Sequence, residues 1–187
     1  MGEPVRMLLM AVVLPLWIAA GFADWACHRA TRIAATSGLR ENLLHWLMFV
    51  QMGVAVLAFT LLQVNALVLL VVLGAFVLHE ATVWWDLRYT VPRREVRPVE
   101  QMVHSLQEVL PLTALLLLAA DHWDQALALV GHGQPDWALR WKEQPWPLPV
   151  LLGGAVAVAL LNVLPLAQET LACLRVRRRT PPSPAPR

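Results

Sequence analysis

Five stretches of this chain are each long and apolar enough to cross a bilayer, and that requirement constrains the fold more than any other feature. A spanning helix needs roughly 20 predominantly apolar residues. The stretches cover residues 7–28, 41–63, 66–86, 99–120 and 148–171. Pro15, Pro111 and Pro165 lie inside them, where proline frees a carbonyl and often kinks the helix. Only a few residues around Gln63, Val64 and Asn65 join the second and third spans, which forces an antiparallel hairpin. Hydrophobic residues are 58% of the 187 and charged residues 15%, against about 45–50% and about 25% in soluble domains. An ordinary soluble domain and a disordered chain are both excluded. So is a nucleic-acid binder: the net charge is +2, and the basic residues cluster at the ends of apolar runs.

The expected fold is all-α and polytopic, with residues 1–175 as one transmembrane domain. Spans one to four should form an antiparallel bundle. Span five should pack peripherally, since Asn162 is its one polar interior residue. Residues 121–147 form an external loop, with a short interfacial helix expected at Gln125–Val130, and residues 176–187 a basic, Pro-rich, disordered tail. Twelve basic residues fall on one side: Arg29, Arg32 and Arg40; Arg88, Arg93, Arg94 and Arg97; and the arginines of the tail. Arg6, Arg140 and Lys142 fall on the other. The positive-inside rule then puts the N-terminus outside and the C-terminus in the cytoplasm of a bacterial inner membrane. Cleavage of span one as a signal peptide would invert every later span, and the charge bias rejects it. Cys27 and Cys173 fall on the cytoplasmic side, where a disulfide is not expected.

The polar residues are placed regularly. Asp24 and His28 are four apart at the cytoplasmic end of span one, and Glu41 and His45 are four apart at the start of span two. His79, Glu80 and Asp86 lie at the end of span three, and Glu100, His104 and Glu108 step by four at the start of span four. Residues four apart share a helix face, so several helices offer a carboxylate and an imidazole in one direction. Ionisable groups in a bilayer are costly and usually functional. Glu108, flanked by Val109, Leu110 and Pro111, must be protonated, paired or metal-bound. Asp24, His28, Glu41, His45, His79, Asp86, Glu100 and His104 are therefore candidate metal ligands, with Glu108 and Glu80 as candidate catalytic residues. His122 and His132, in the external loop, stand apart from this pattern. Arg29, Arg40, Arg88, Arg93, Arg94 and Arg97, beside the groups, read first as orientation signals; their second reading is to hold carboxylates or an anionic lipid headgroup, Arg29 above all, and the tryptophans read as interfacial belts. Trp84 and Trp85 have a second reading as walls of a substrate pocket.

Mixed imidazole and carboxylate ligation suits iron or manganese and can suit zinc, and the ligand number suits two ions. The site logic resembles that of membrane-bound His/carboxylate di-iron proteins and of di-iron carboxylate bundles, in which Glu and His project inward from four helices. Those bundles space Glu and His by three residues, whereas the spacing here is four. The HxxxH and HxxHH boxes of membrane fatty-acid hydroxylases and desaturases are missing. His79-Glu80 lacks the second histidine of a zincin, since Val83 stands there.

The leading expectation is a membrane enzyme with two metal ions, iron favoured over zinc or manganese, at the cytoplasmic face. It would oxidise a lipid or other apolar substrate with a separate reductase. Zinc would favour hydrolysis instead, with Glu108 or Glu80 as general base. A b-type cytochrome with two histidines on heme, and a non-enzymatic membrane subunit or metal carrier, are the alternatives.

Overall fold

The structure, a computed structural model, describes residues 1–179. Its helices are α1 (Glu3–Thr31), α2 (Leu39–Leu61), α3 (Ala66–Thr90), α4 (Pro98–Asp121), the short α5 (Trp123–Leu129) and α6 (Leu148–Arg179). All but α5 are long and apolar enough to cross a membrane, so the protein is an all-α polytopic chain. Each span runs close to its expected bounds. The exception is α6, which stays helical to Arg179, past the expected start of the tail at 176. The basic side chains of its last turn suit the negative end of the helix dipole there. The rest of the expected disordered tail, 180–187, lies outside the described residues.

Local chemistry accounts for the helix boundaries. Prolines stand in the first turn of α1, α4 and α6, where their missing N–H costs nothing. Asn65 caps α3, its side chain accepting from Val68 N at 3.1 Å. Between α1 and α2 the chain reverses through Arg32 at φ 54° and Gly38 at φ 70°. Inside α1 and α6 the helix widens to a π turn at Leu9–Val13 and Ala159–Val163. Each π turn runs directly into a Leu-Pro pair, Leu14-Pro15 or Leu164-Pro165. Proline cannot donate to the preceding turn, and its ring crowds a carbonyl there, so a wider turn relieves both problems. Pro111 sits within regular helix in α4.

Spans one to four associate as an antiparallel bundle. The α2–α3 hairpin is the most extensive pairing, α1 packs on α4, and α3 packs on α4. Leu9, Val13, Met52, Phe59, Val68, Val72, Leu110 and Leu118 form the core. Ala55, Ala58, Ala75 and Ala114 are buried between helices, and small residues there allow close backbone approach. The outward faces carry Val50, Leu78 and Leu116, as a surface in contact with hydrocarbon requires.

The fifth span, α6, only partly meets the expectation of a peripheral helix. Its middle is largely exposed, but it lies against α1, and its second half packs on α2. Asn162 Nδ2 donates to the Ile18 carbonyl at 3.1 Å. At that contact Gly21 leaves room, since a Cβ there would come within 2.4 Å of Asn162 Nδ2.

The segment 130–147 is strapped to the α2–α3 turn. Leu62 and Trp141 form a β-bridge, Gln63 N donates to Arg140 O at 2.9 Å, and Lys142 N to Leu61 O at 3.0 Å. Asn65 Nδ2 donates to Ala138 O at 2.8 Å. These bonds satisfy groups freed at the helix ends. The strap ends on Trp146, which is buried against Phe59. A short helix is present, as α5, two residues earlier at its start than the expected Gln125–Val130.

Candidate metal centre

The four-residue spacings do what helix geometry requires. They turn Asp24 and His28, Glu41 and His45, and Glu100 and His104 inward at the arginine-rich end of the bundle. His28 is the hub. Its Nε2 lies 3.5 Å from Asp24, 3.7 Å from Glu100 and 4.0 Å from Glu41. His104 Nε2 meets Asp24 Oδ1 at 3.0 Å, and the rings of His28 and His45 stack with centroids 4.5 Å apart. Two groups of ligand atoms could each hold a metal ion: Asp24, His28, Glu100 and His104, and His28, Glu41 and His45. Within each group the atoms lie within 4.8 Å of one another. His28 belongs to both, so the groups form one contiguous cluster. Most of its members are almost completely buried, with Glu41 and Glu100 at 0% exposure.

Two carboxylates stand behind the imidazoles. Glu169, from α6, contacts His28 Nδ1 at 3.1 Å, leaving His28 Nε2 without a hydrogen-bond partner and facing the cluster. A carboxylate on one ring nitrogen sets the tautomer and orients the other nitrogen toward a ligand. Glu169 is itself held by Asn42 Nδ2 at 2.8 Å, Asn42 by Thr170 at 2.7 Å, and Thr170 by Trp46 Nε1 at 2.9 Å. Asp86 lies 3.6 Å from His45 Nε2, while His45 Nδ1 has no partner. Asp86, expected as a ligand, thus stands beside His45 and outside both ligand groups.

Arg94, in the turn between α3 and α4, pairs with both Glu41 and Glu100. Its Nε reaches Glu41 at 3.1 Å and its Nη1 reaches Glu100 at 2.9 Å. Burial works against the guanidinium's charge, but its bonds to Glu100 and Glu41 outweigh that and hold it protonated far above neutral pH.

The remaining expected residues fall elsewhere. His79 is buried at 5% exposure but belongs to neither ligand group. Neither of its ring nitrogens makes a hydrogen bond, and the Met48 carbonyl faces the ring. Glu80 lies near Glu108, close enough for their charges to interact. Both are partly exposed and outside the ligand groups. Trp84 and Trp85 are exposed, in keeping with the belt reading. Cys27 and Cys173 are free thiols.

Arg94 takes up the second reading of the arginines, holding carboxylates, although Arg29 looked the better candidate. Glu169 escaped sequence reasoning, since it lay on a span expected to be peripheral. Its one visible signal was a carboxylate on an otherwise apolar span, level with the other polar groups.

Above the cluster lies an apolar cavity of about 1080 Å³ between α1, α2 and α6. Met10, Trp17, Met52, Val56 and Val158 are among its lining residues, and His28, His45, His79 and His104 line its polar end. No protein-family model, curated protein or solved structure matches this chain.

Proposed function

We propose that the protein is an integral-membrane metalloenzyme that oxidises a lipid or other apolar substrate at the cytoplasmic face of a bacterial inner membrane. Two metal ions, iron favoured over zinc and manganese, are held among Asp24, His28, Glu41, His45, Glu100 and His104. The observation that carries this reading is the joining of a large apolar cavity to a buried cluster of imidazoles and carboxylates. Cofactor sites of enzymes that act on apolar molecules need this combination of a dry, shaped space and a few convergent polar groups.

Charge supports it. Asp24, Glu41, Asp86, Glu100 and Glu169 are buried together with the single guanidinium of Arg94. A buried excess of carboxylate charge is costly unless protons or cations balance it, and two divalent ions would do so. Iron bound there would supply oxygen activation, and zinc hydrolysis. The protein's own residues hold the ligands in place: Glu169 and Asp86 orient His28 and His45, and Arg94 positions Glu41 and Glu100. Glu108, which lines the cavity, is the candidate proton carrier nearest the substrate space, with Glu80 behind it. A separate reductase would deliver electrons.

The close stacking of His28 on His45 leaves no room for a porphyrin between those two rings, which weighs against heme ligated by that pair. A second reading has its own support. The Arg94 pairs with Glu41 and Glu100 are also what a purely structural polar core would contain, in a non-enzymatic subunit.

Metal analysis with an absorbance spectrum on detergent-purified protein tests the proposal. The expected result is about two irons per chain without a Soret band, lost in His45→Ala and His104→Ala. Zinc at the same stoichiometry would redirect the reading to hydrolysis. No metal after attempted reconstitution would overturn it in favour of the structural core.

A further inference from the structure

The cavity has a direction and an opening. Its lining runs along α6 from Val150 to Glu169, about 28 Å at 1.5 Å per residue, close to the roughly 30 Å thickness of a bilayer's hydrocarbon core. A space that long within about 1080 Å³ is narrow for its length. It suits a chain rather than a compact ring system. At one end stand the histidines of the cluster. At the other, Trp146, anchored by the strap, forms part of the wall.

The opening follows from how α6 packs. The second half of α6, from Leu164 to Arg179, packs on α2, whereas its first half, from Leu148 to Val158, touches α1 only lightly and α2 still less. The seam between α2 and α6 therefore parts toward the Trp146 end. Gly53 on α2 and Gly153 and Gly154 on α6 line the cavity, and at each of them a Cβ would meet no atom within 4 Å. Three glycines beside open space in helices leave a gap where side chains would otherwise fill it.

His79 supplies an independent observation. It is buried and lines the cavity's polar end outside the ligand groups, with the Met48 carbonyl facing its ring and no side chain hydrogen-bonded to either nitrogen. An imidazole left so in an apolar site is available to a polar group of an occupant.

We propose that the acyl chain of a bilayer lipid enters this cavity sideways through the α2–α6 seam. Its ester end lies beside His79 and the cluster, and its methyl end points toward Trp146. The inference rests on the proposed function for its chemistry but names the substrate class and its route. His79 is then a substrate-binding residue, its N–H turning from the Met48 carbonyl to the ester carbonyl, and not a metal ligand.

The test uses the full chain in nanodiscs containing a phosphatidylethanolamine with a photoactivatable diazirine near the terminal methyl of one chain. Crosslinked residues are mapped by mass spectrometry, and metal content is measured on the same samples. The expected result is labelling of Trp146, Val150 and their neighbours. That labelling should fall about tenfold in Gly53→Trp and in Gly154→Leu, whose side chains fill the entrance, with bound metal unchanged. His79→Leu should also lower it while retaining metal. Unchanged labelling in both glycine variants, or labelling confined to outward residues such as Val50 and Leu116, would overturn the acyl-chain site even if metal is present. Cavity labelling in protein that binds no metal would support the site and remove only the enzymatic reading. Loss of metal in His79→Leu would return that residue to the ligand set and overturn its assignment here.

Discussion

Arg94 is the residue whose removal should be felt most. It pairs with two fully buried carboxylates, Glu41 and Glu100, and breaking a buried pair from one side typically costs about 3–5 kcal/mol because charge is left uncompensated. Arg94→Ala should therefore lower unfolding stability in detergent by that order, read by denaturant titration. Arg94→Lys should recover only part, since an ammonium cannot bridge two carboxylates with a planar fork. A different effect is expected at Glu169, which orients His28 from behind. Glu169→Gln should leave the fold intact and weaken metal binding by about 10–100-fold, the usual effect of removing such a partner, as measured by competition with a chelator. Equal metal affinity in the variant would show that Glu169 serves packing alone.

Among the elements, the contact of α6 with α1 is the most sensitive to a small change. Gly21→Ala would drive its Cβ into Asn162 Nδ2 and cost the bond to Ile18 O. Interhelical hydrogen bonds in membranes average about 0.6 kcal/mol, so a loss of that order is expected in a thermal melt, and Asn162→Ala should be no worse when added to it. The strap is held partly by Lys142, whose Nζ donates to Leu62 O at 2.8 Å. Burial pushes the Lys142 amine down to about 8 from its usual 10.5, with Asp121 opposing the change. Between these two values the unfolded chain binds more protons than the folded one. Stability should therefore rise with pH across that window. The expected observation is a melting temperature that climbs from pH 8 toward 10.5 in the wild type relative to Lys142→Met, which lacks the titrating group.

Over the whole molecule, the polar cluster lies at one end, the strap at the other, and the apolar cavity between them. The proposed orientation puts the cluster in the cytoplasmic leaflet. A C-terminal reporter active only in the cytoplasm should therefore be active, and one active only outside should be silent; the reverse result would invert the topology. Trp146 closes the core beneath the strap, packed on Phe59. Trp146→Ala should destabilise the protein by about 3–5 kcal/mol, in the range for deleting a buried aromatic, and should enlarge the cavity at that end.

Much of this was legible in the chain itself. Spans, hairpin and helix ends follow from local rules: apolar length, a proline in the first turn, Asn65 as a cap. The inward turn of Asp24 with His28, Glu41 with His45, and Glu100 with His104 follows from the helix period, because four residues return a side chain to the same face. Other features depend on where whole helices come to rest. His79 shares the pattern of the candidate ligands, but its height on α3 sets it beside the cavity wall and outside the candidate ligand groups. Asp86, seven residues on, meets His45 Nε2 and Thr90 and stays outside those groups. Arg94 could not be told from its neighbouring arginines until the α3–α4 turn folded it over Glu41 and Glu100. Glu169 joined the cluster because α6 settles between α1 and α2. The period along a helix is a property of the local sequence, whereas the depth and azimuth at which separate helices meet come from packing between residues more than a hundred positions apart, such as His28 and Glu169.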